Sequence, residues 1–533
     1  MGNKRSAMKR GVSALVGTAL VVSALAGCAD GESKPGAAGS ESPKADKKML
    51  LKFWSYTPDK TNLQGYGMNF LRQKFNIDID FYAVPNETLK EKLQLMLSSK
   101  DIPDWWKPQS YSDYDKYVSQ GLVAEIPEDL LEQYAPKYMA WLRKNTGSGD
   151  PFRYVRRSGK VYQMQDMWTI GPKSTVVGFR DDWLKKVGIA KTPETIEEME
   201  TALAKFRNDD PDGNGKKDTY GITGTAIGVA GIFSSVFGAF GVYPGTFTED
   251  NGKVVLGEIE SAAKDALTVL QRWYKNELID PEFVTNKGAN KDDKMINGKA
   301  GVAEAAWWSF IPQAAFFSGV YYEKTREKNP SAAWVTIGGP KGPAGKSGMI
   351  QSTPFSATGV VFGKHMEKDR DKLIKYLQVF DDTISNPDTF EATNYGEKGK
   401  TFKVSEDGSY EFIPPYDKEE EQIKYGVGPW YSIPRSFNDY EMQAKFMTKK
   451  SLIPVRQAAE SKGTGKYDIL SPTQRPVYNE YKERLDQFTL QTFIDFITGR
   501  KPVSEFDSFV AEWKKMGGDK VLEEAQLKFK ELK

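Results

Sequence analysis

From Met49 onward the chain alternates strand-like and helix-like patterns at short intervals, and this alternation limits the fold more than any other feature. Met49-Leu50-Leu51-Lys52-Phe53-Trp54 reads as a strand, and Met68, Leu71 and Phe75 then share one face of a helix. Ile77, Ile79 and Phe81 alternate with Asp78 and Asp80 as a second strand, and Leu89, Leu93, Met96 and Leu97 mark a second amphipathic helix. Strand–helix–strand–helix in this rhythm predicts an α/β sheet with parallel neighbours. Thr195 and Glu198 form a capping-box pattern ahead of a helix that turns Ile196, Met199, Leu203 and Phe206 inward. Further helical faces carry Leu267, Leu270 and Tyr274, and then Leu373, Tyr376, Leu377 and Phe380; from about Pro476 the chain reads as mainly helical. At roughly 100–200 residues per domain, 533 residues correspond to two large lobes or two to four units.

Composition removes several classes of function. Lys and Arg number 74 against 72 Asp and Glu, which lacks the basic excess expected of a nucleic-acid binder. A single Cys leaves no intramolecular disulfide framework and no multi-Cys metal site. A single His, His365, rules out HExxH and every two-His metal site. It follows Gly363-Lys364 at a helix entrance and reads as an exposed loop residue. No GxSxG occurs, and the sequence offers no identifiable acid/base constellation, so no catalytic residue is assigned.

The first 28 residues form a unit of their own. Lys4, Arg5, Lys9 and Arg10 precede an uncharged, mostly apolar run from Gly11 to Leu25, too short to span a bilayer comfortably and suited to a signal-peptide core. The run ends Leu25-Ala26-Gly27-Cys28, which resembles the lipobox of bacterial lipoproteins. That resemblance implies cleavage after residue 27 and acylation of Cys28, the only cysteine in the chain. Residues 28–48 are rich in Gly, Ser, Ala, Pro and charge, and form a flexible tether. The expected location is the outer face of the cell membrane, held by lipid alone.

Several longer segments share a second resemblance. FWSYTPD and FNIDIDFYAVPNETLKEKLQLMLSSKDIPDWW near the start, GFRDDWLKKVGIAKTPETIEEMETALAKF from Gly178, and KMINGKAGVAEAAWWSF from Lys294 resemble family 1 extracellular solute-binding proteins. NYGEKGKTFKV from Asn394 and FITGRKPVSEFDSFVAEWKKMGG from Phe496 are similar to their larger lipoprotein branch, which serves oligosaccharide ABC importers and includes relatives of alginate- and maltose-binding proteins. The resemblance implies a type II periplasmic-binding-protein-like fold: two α/β lobes, each a mainly parallel sheet flanked by helices, with a ligand cleft between them and closure by hinge motion. It places an N-terminal lobe at 49–167 plus about 347–395, and a C-terminal lobe at about 168–346 plus 396–533. Its expected partners are an oligosaccharide and the permease subunits of an ABC importer, with the protein itself a monomer and not an enzyme. The rival readings are a secreted carbohydrate-active enzyme and a structural surface lipoprotein.

Asp210-Pro-Asp212-Gly-Asn214-Gly215-Lys216-Lys-Asp218 matches the first nine positions of an EF-hand-type loop. Side-chain oxygens of Asp210, Asp212, Asn214 and Asp218 with the carbonyl of Lys216 can wrap a hard cation, and Gly215 permits the sharp turn. Position 12 is Gly221, so the bidentate Glu is missing, and Thr219 stands where related alginate-binding proteins have an acid. A structural calcium ion is the expectation, and a solvated turn is the alternative. Gly339 to Ser347 resembles a phosphate-binding loop but has Pro340 where Gly is needed and no helix after it, so it reads as a surface turn.

For a sugar ligand the aromatic residues carry the information, because flat rings bury the apolar C–H faces of sugars at low entropic cost. Trp54 ends the first strand, Trp168 lies at the first lobe crossing, Trp308 follows a small-residue strand, and Trp430 sits in a Gly-rich loop. These four are expected in the cleft, whereas Trp183, Trp273 and Trp513 lie on helical faces and belong to the core. Trp106 and Trp307 are added as candidates for which core and cleft stand level, as they do for Trp105. Asp166 and Arg180, which flank the crossing, and Arg435 complete the expected ligand set.

Overall fold

The computed structural model describes residues 48–56, 62–84, 88–147, 149–315, 319–428 and 439–532. Cys28, Trp430 and Arg435 lie outside the described residues. Strand Met49–Tyr56 pairs in parallel with Ile77–Val84 over eight residues. The helix between them, Tyr66–Phe75, buries Met68 and Leu71, as its periodicity predicts. Asn76, in the left-handed region, ends that helix by returning its N–H to the carbonyls of Arg72 and Gln73. A βαβ start of this kind buries one face of the strands and one face of the helix against each other.

Two large hydrophobic cores follow, built from interleaved stretches of chain. The first joins residues between Leu51 and Met167 to residues between Val360 and Ile384. The second joins residues between Val177 and Met349 to Leu470 through Phe529. In the second, Thr195 caps the helix Ile196–Asn208 with the reciprocal Glu198 bond, and Ile196, Met199, Leu203 and Phe206 are buried as expected. The C-terminal helices Pro476–Thr498, Phe506–Trp513 and Asp519–Leu532 pack on the same core. Glu524 accepts the N–H groups of Val477 and Tyr478 at the start of the first of these. Trp183, Trp273 and Trp513 are core residues, as their helical faces imply.

The sheets are mixed, which corrects the expectation of mainly parallel ones. In the first body, Phe355–Phe362 runs antiparallel to both Trp105–Trp106 and Met164–Met167. In the second, Thr175–Arg180 runs antiparallel to Ala300–Ala306 and to Trp334–Ile337, and only Tyr220–Ile222 pairs in parallel with Ala300–Ala306. The reason is the route of the chain. A strand that enters a body through a crossing, Phe355–Phe362 or Thr175–Arg180, travels against its neighbours there.

Two direct crossings join the bodies, one between Met167 and Thr175 and one between Ile350 and Phe355. They are hydrogen-bonded to each other. Trp168 N–H donates to the Pro354 carbonyl at 2.9 Å. The buried Gln351 amide takes the Thr175 N–H at 2.8 Å and donates to the Thr175 carbonyl at 2.9 Å.

A third passage is indirect. Phe390, Tyr395, Phe402 and Phe446 form a small separate cluster, with the hairpin Phe402–Val404 and Tyr410–Phe412 packed against it. This unit touches the second body where Lys449 N–H donates to the Ala314 carbonyl and the Thr448 hydroxyl to the Ala315 carbonyl. It touches the first body where Tyr425 stacks on Tyr66 with centroids 5.6 Å apart and Gly67 N–H donates to the Gly426 carbonyl. Backbone meets backbone there: a Cβ on Gly65 would lie 2.4 Å from the Gly426 Cα. Gly65→Ala is therefore expected to push the unit off the Tyr66–Phe75 helix and to lower stability by about 1–3 kcal/mol, read as a fall in melting temperature.

Candidate functional site

The crossings are flanked by the ends of strands from both bodies. Ala306, the last residue of the Ala300–Ala306 strand, stands opposite Thr175, so the chain that follows lies at the crossing. It turns through Trp307–Phe310. Trp307 N–H donates to the Ser174 carbonyl, and its ring is fully buried. Trp308 is half-buried, held edge-on against Trp307 at 5.2 Å. Its other indole neighbour is Trp168, also half-buried, with ring centroids 6.4 Å apart and planes inclined by 53°. Phe310 anchors the turn by lying on Gly178, where a Cβ would come 2.1 Å from its ring. One indole thus comes from the crossing and its neighbour from a strand end of the second body.

The first body contributes a buried acid and two rings. Asp166 is 7% exposed, two residues before Trp168. One carboxylate oxygen accepts the Met167 N–H at 2.8 Å, and the other has no hydrogen-bond partner among the described residues. Burial pushes its pKa up to about 6, against the opposing charge of Lys107. Tyr154 and Phe355 lie with ring centroids 4.0 Å apart at the second crossing. Sequence reasoning did not single out Tyr154, Phe355 or Gln351. Nothing local marks them, because their place is set by the pairing of the two crossings.

Other expected residues fall elsewhere. Trp54 is 4% exposed and packed in the first core beside Tyr82, so it does not stand opposite Trp308. Trp105, Trp106 and Trp307 have no exposed surface and fill cores. Arg180 ends its strand five residues beyond Thr175, roughly 17 Å from the crossing at strand rise. Its Nε and Nη2 grip Asp182 at 2.8 and 2.6 Å, between the rings of Trp183 and Trp334.

His365 is exposed, as expected, but it has a partner. Its Nε2 lies 3.0 Å from Asp104 Oδ1, and Asp104 Oδ2 receives Lys372 Nζ at 2.6 Å and the Tyr376 hydroxyl at 2.9 Å. Burial alone would raise the Asp104 pKa, but these partners outweigh it and hold it at about 2. The cluster sits beyond Phe362, at the end of its strand farthest from the crossing, where it joins strand, turn and helix.

The Asp210–Asp218 loop has oxygen donors of the right kind for calcium. Their present hydrogen bonds are internal. Asp210 accepts the N–H groups of Gly213, Asn214 and Gly215, Asn214 Nδ2 donates to Asp212 and Asp218, and Lys299 Nζ lies 2.6 Å from Asp218. The Thr219 hydroxyl is committed to the Phe206 carbonyl. Among the described residues no group of three or more His, Cys, Asp or Glu side chains is gathered to hold a metal ion. Burial, and then the adjacent Asp210 carboxylate, raise the Asp212 pKa.

The model of the bacterial extracellular solute-binding proteins matches residues 57–348, more than half of the chain. The chain belongs to this family. Lipoprotein LipO of Bacillus subtilis is 24% identical over 94% of this solute-binding protein and 95% of its own length. The polygalacturonan/rhamnogalacturonan-binding protein YtcQ of the same organism is 23% identical over 96% of each chain. Among solved structures, the Streptococcus pneumoniae ABC-transporter substrate-binding protein FusA in complex with kestose superposes with a TM-score of 0.67 at 17% identity, covering 91% of this chain and 99% of its own. The alginate-binding protein AlgQ2 without calcium ion gives 0.64 at 19% identity, covering 91% and 98%. The shared architecture is the two-lobe α/β fold of such proteins. Among the described residues no helix is long and apolar enough to cross a membrane.

Asp166 makes the site's electrostatics testable. An acid whose folded pKa is raised is harmless to stability below its unfolded value and becomes a burden as pH climbs through the folded one. Asp166→Asn keeps the acceptor for Met167 N–H and cannot ionise. It is expected to leave the melting temperature unchanged at pH 4 and to raise stability at pH 7.5 by up to about 3 kcal/mol. Equal melting curves at pH 7.5 would contradict the buried-acid account.

Proposed function

We propose that this protein captures an oligosaccharide between its two lobes and delivers it to the permease subunits of an ABC importer. The observation that carries the reading is the Trp168–Trp308 pair, two half-buried indoles brought together at the crossing from different parts of the chain. Such a pair offers apolar faces for sugar rings, and the open carboxylate oxygen of Asp166 offers an acceptor for a hydroxyl. The FusA complexes with kestose and fructo-nystose and the pneumococcal N-glycan-binding protein with Man5GlcNAc support the ligand class. The lobes divide at 167/168 and, because Met349 packs in the second core, between Ile350 and Phe355 rather than near 346/347, and we assign residues 386–452 to neither. Trp430 and Arg435 remain candidates of the same cleft. The protein binds without chemical turnover, acts as a monomer, and is held outside the cell membrane by a lipid on Cys28, for which the lipobox pattern and the lipoprotein relative LipO are the support.

Titration calorimetry against a panel of neutral and acidic oligosaccharides tests the reading. Trp168→Ala and Trp308→Ala are each expected to cost about 2–4 kcal/mol of binding, on the order of 30- to 1,000-fold in Kd. Trp54→Ala is expected to act on stability instead, by roughly 3–5 kcal/mol, as a buried indole should. A panel with no binder, or both site variants at wild-type affinity, would overturn the proposal.

We further read the Asp210–Asp218 loop as a calcium site, with Asp210, Asp212, Asn214, Asp218 and the Lys216 carbonyl as donors. Its support is the spacing of the oxygen donors along the loop, and an EF-hand mutant of FusA exists among the similar structures. Binding requires Asp218 to turn from Lys299, and position 12 supplies no carboxylate, so affinity falls toward roughly 10⁻⁴–10⁻³ M. Calcium at about 5 mM should raise the melting temperature over a chelated sample. Asp212→Ala should remove the difference, and identical curves for the parent would count against the site.

A further inference from the structure

At the far end of the Thr175–Arg180 strand lies a cavity of about 530 Å³, between the helix Asp181–Lys186, the turn at Asn297-Gly298 and the segment after the helix Val320–Lys328. It is separate from the crossing. Arg180 is 3% exposed and forms part of its wall. Asp182 holds one edge of the guanidinium in two hydrogen bonds, and Trp183 and Trp334 flank its faces at 4.8 and 5.7 Å. The remaining nitrogen, Nη1, has no hydrogen-bond partner among the described residues. It points toward Gly298, where a Cβ would lie 3.9 Å from it.

The polar groups around this nitrogen are unevenly spent. Asn297 Oδ1 is taken by Lys328 Nζ, and Asn329 Oδ1 by the N–H and hydroxyl of Ser331. Asp182 is engaged by Arg180 and by Ala333 N–H, and Asp212, on the rim, accepts from Asn214. Each of these acceptors already holds at least one hydrogen bond, and the Asp182 charge is paired with Arg180. Donors remain open: Arg180 Nη1, the ammonium of Lys186, which has no ion-pair partner among the described residues, and the amide nitrogens of Asn297 and Asn329 all border the cavity. A cavity of a few hundred Å³ with three cationic side chains, Arg180, Lys186 and Lys328, against two carboxylates, and with Arg180 Nη1 unspent, suits a ligand rich in acceptors.

We propose that this cavity is a second binding site, distinct from the sugar cleft, for a small anion bearing a carboxylate or phosphate group. Arg180 Nη1 binds the oxyanion at the base, and Lys186 and Lys328 close over it from the rim. The bidentate grip of Asp182 and the two indoles fix the guanidinium before the ligand arrives, so little side-chain freedom is lost on binding.

The test uses the full chain with inorganic phosphate and citrate as probes, at ionic strength matched with sodium chloride. At least one probe is expected to bind with a Kd below about 10 mM and to raise the melting temperature. Phosphate alone would identify a phosphoryl ligand, and citrate alone a carboxylate. The exposed double variant Lys186→Gln/Lys328→Gln should weaken binding by about tenfold or more while folding normally. Arg180→Lys, checked by its own melt, should abolish binding, and oligosaccharide affinity should be unchanged in the double variant. Failure of both probes to bind, or undiminished binding by the double variant, would overturn the proposal.

Discussion

Everything at the candidate site depends on the two direct crossings being bonded to each other. Trp168 N–H to the Pro354 carbonyl and the Gln351 amide to both backbone groups of Thr175 tie together segments almost two hundred residues apart in sequence. Gln351 supplies with its side chain the pair of bonds that a neighbouring strand would otherwise make. Because it is buried, breaking the pair would strand a backbone donor and acceptor without water. The crossings therefore keep their register. That register decides where the Ala300–Ala306 strand ends, and so where Trp308 meets Trp168.

The polar groups near the crossing and those far from it show different physical states. Asp166 sits in low dielectric with one oxygen that has no hydrogen-bond partner among the described residues, a condition that raises its pKa and leaves an acceptor for a ligand. Asp104 is surrounded by His365, Lys372 and Tyr376, and its charge is well compensated. The first arrangement suits a group reserved for a ligand, the second a group that joins elements. Residue type alone does not separate them. An Asp beside an aromatic-rich segment describes both Asp104, before Trp105-Trp106, and Asp166, before Trp168.

The small aromatic unit between residues 386 and 452 adds a constraint of another kind. It contacts the first body through the glycine pair Gly65 and Gly426, and the second through Ala314 and Ala315. A side chain at either glycine would hold the backbones apart and lose the Gly67 to Gly426 hydrogen bond. Relative movement of the two bodies must be accommodated at one of these contacts as well as at the direct crossings.

The sequence by itself determined the α/β class, the core faces of the helices and the capping of Ile196–Asn208. Each depends on residues within a few positions of one another, where periodicity and local hydrogen bonding act. It also carried the likeness to solute-binding proteins, which the family match bears out. Only the tertiary structure decided that strands entering through the crossings run antiparallel to their neighbours, that Trp54 and Trp106 fill a core while Trp168 and Trp308 meet, and that Arg180 faces away from the crossing. A tryptophan at a strand end has the same local pattern whether a second layer covers it or leaves it open. What covers it is set by segments hundreds of residues away, because a strand's partners and direction follow from the path of the whole chain.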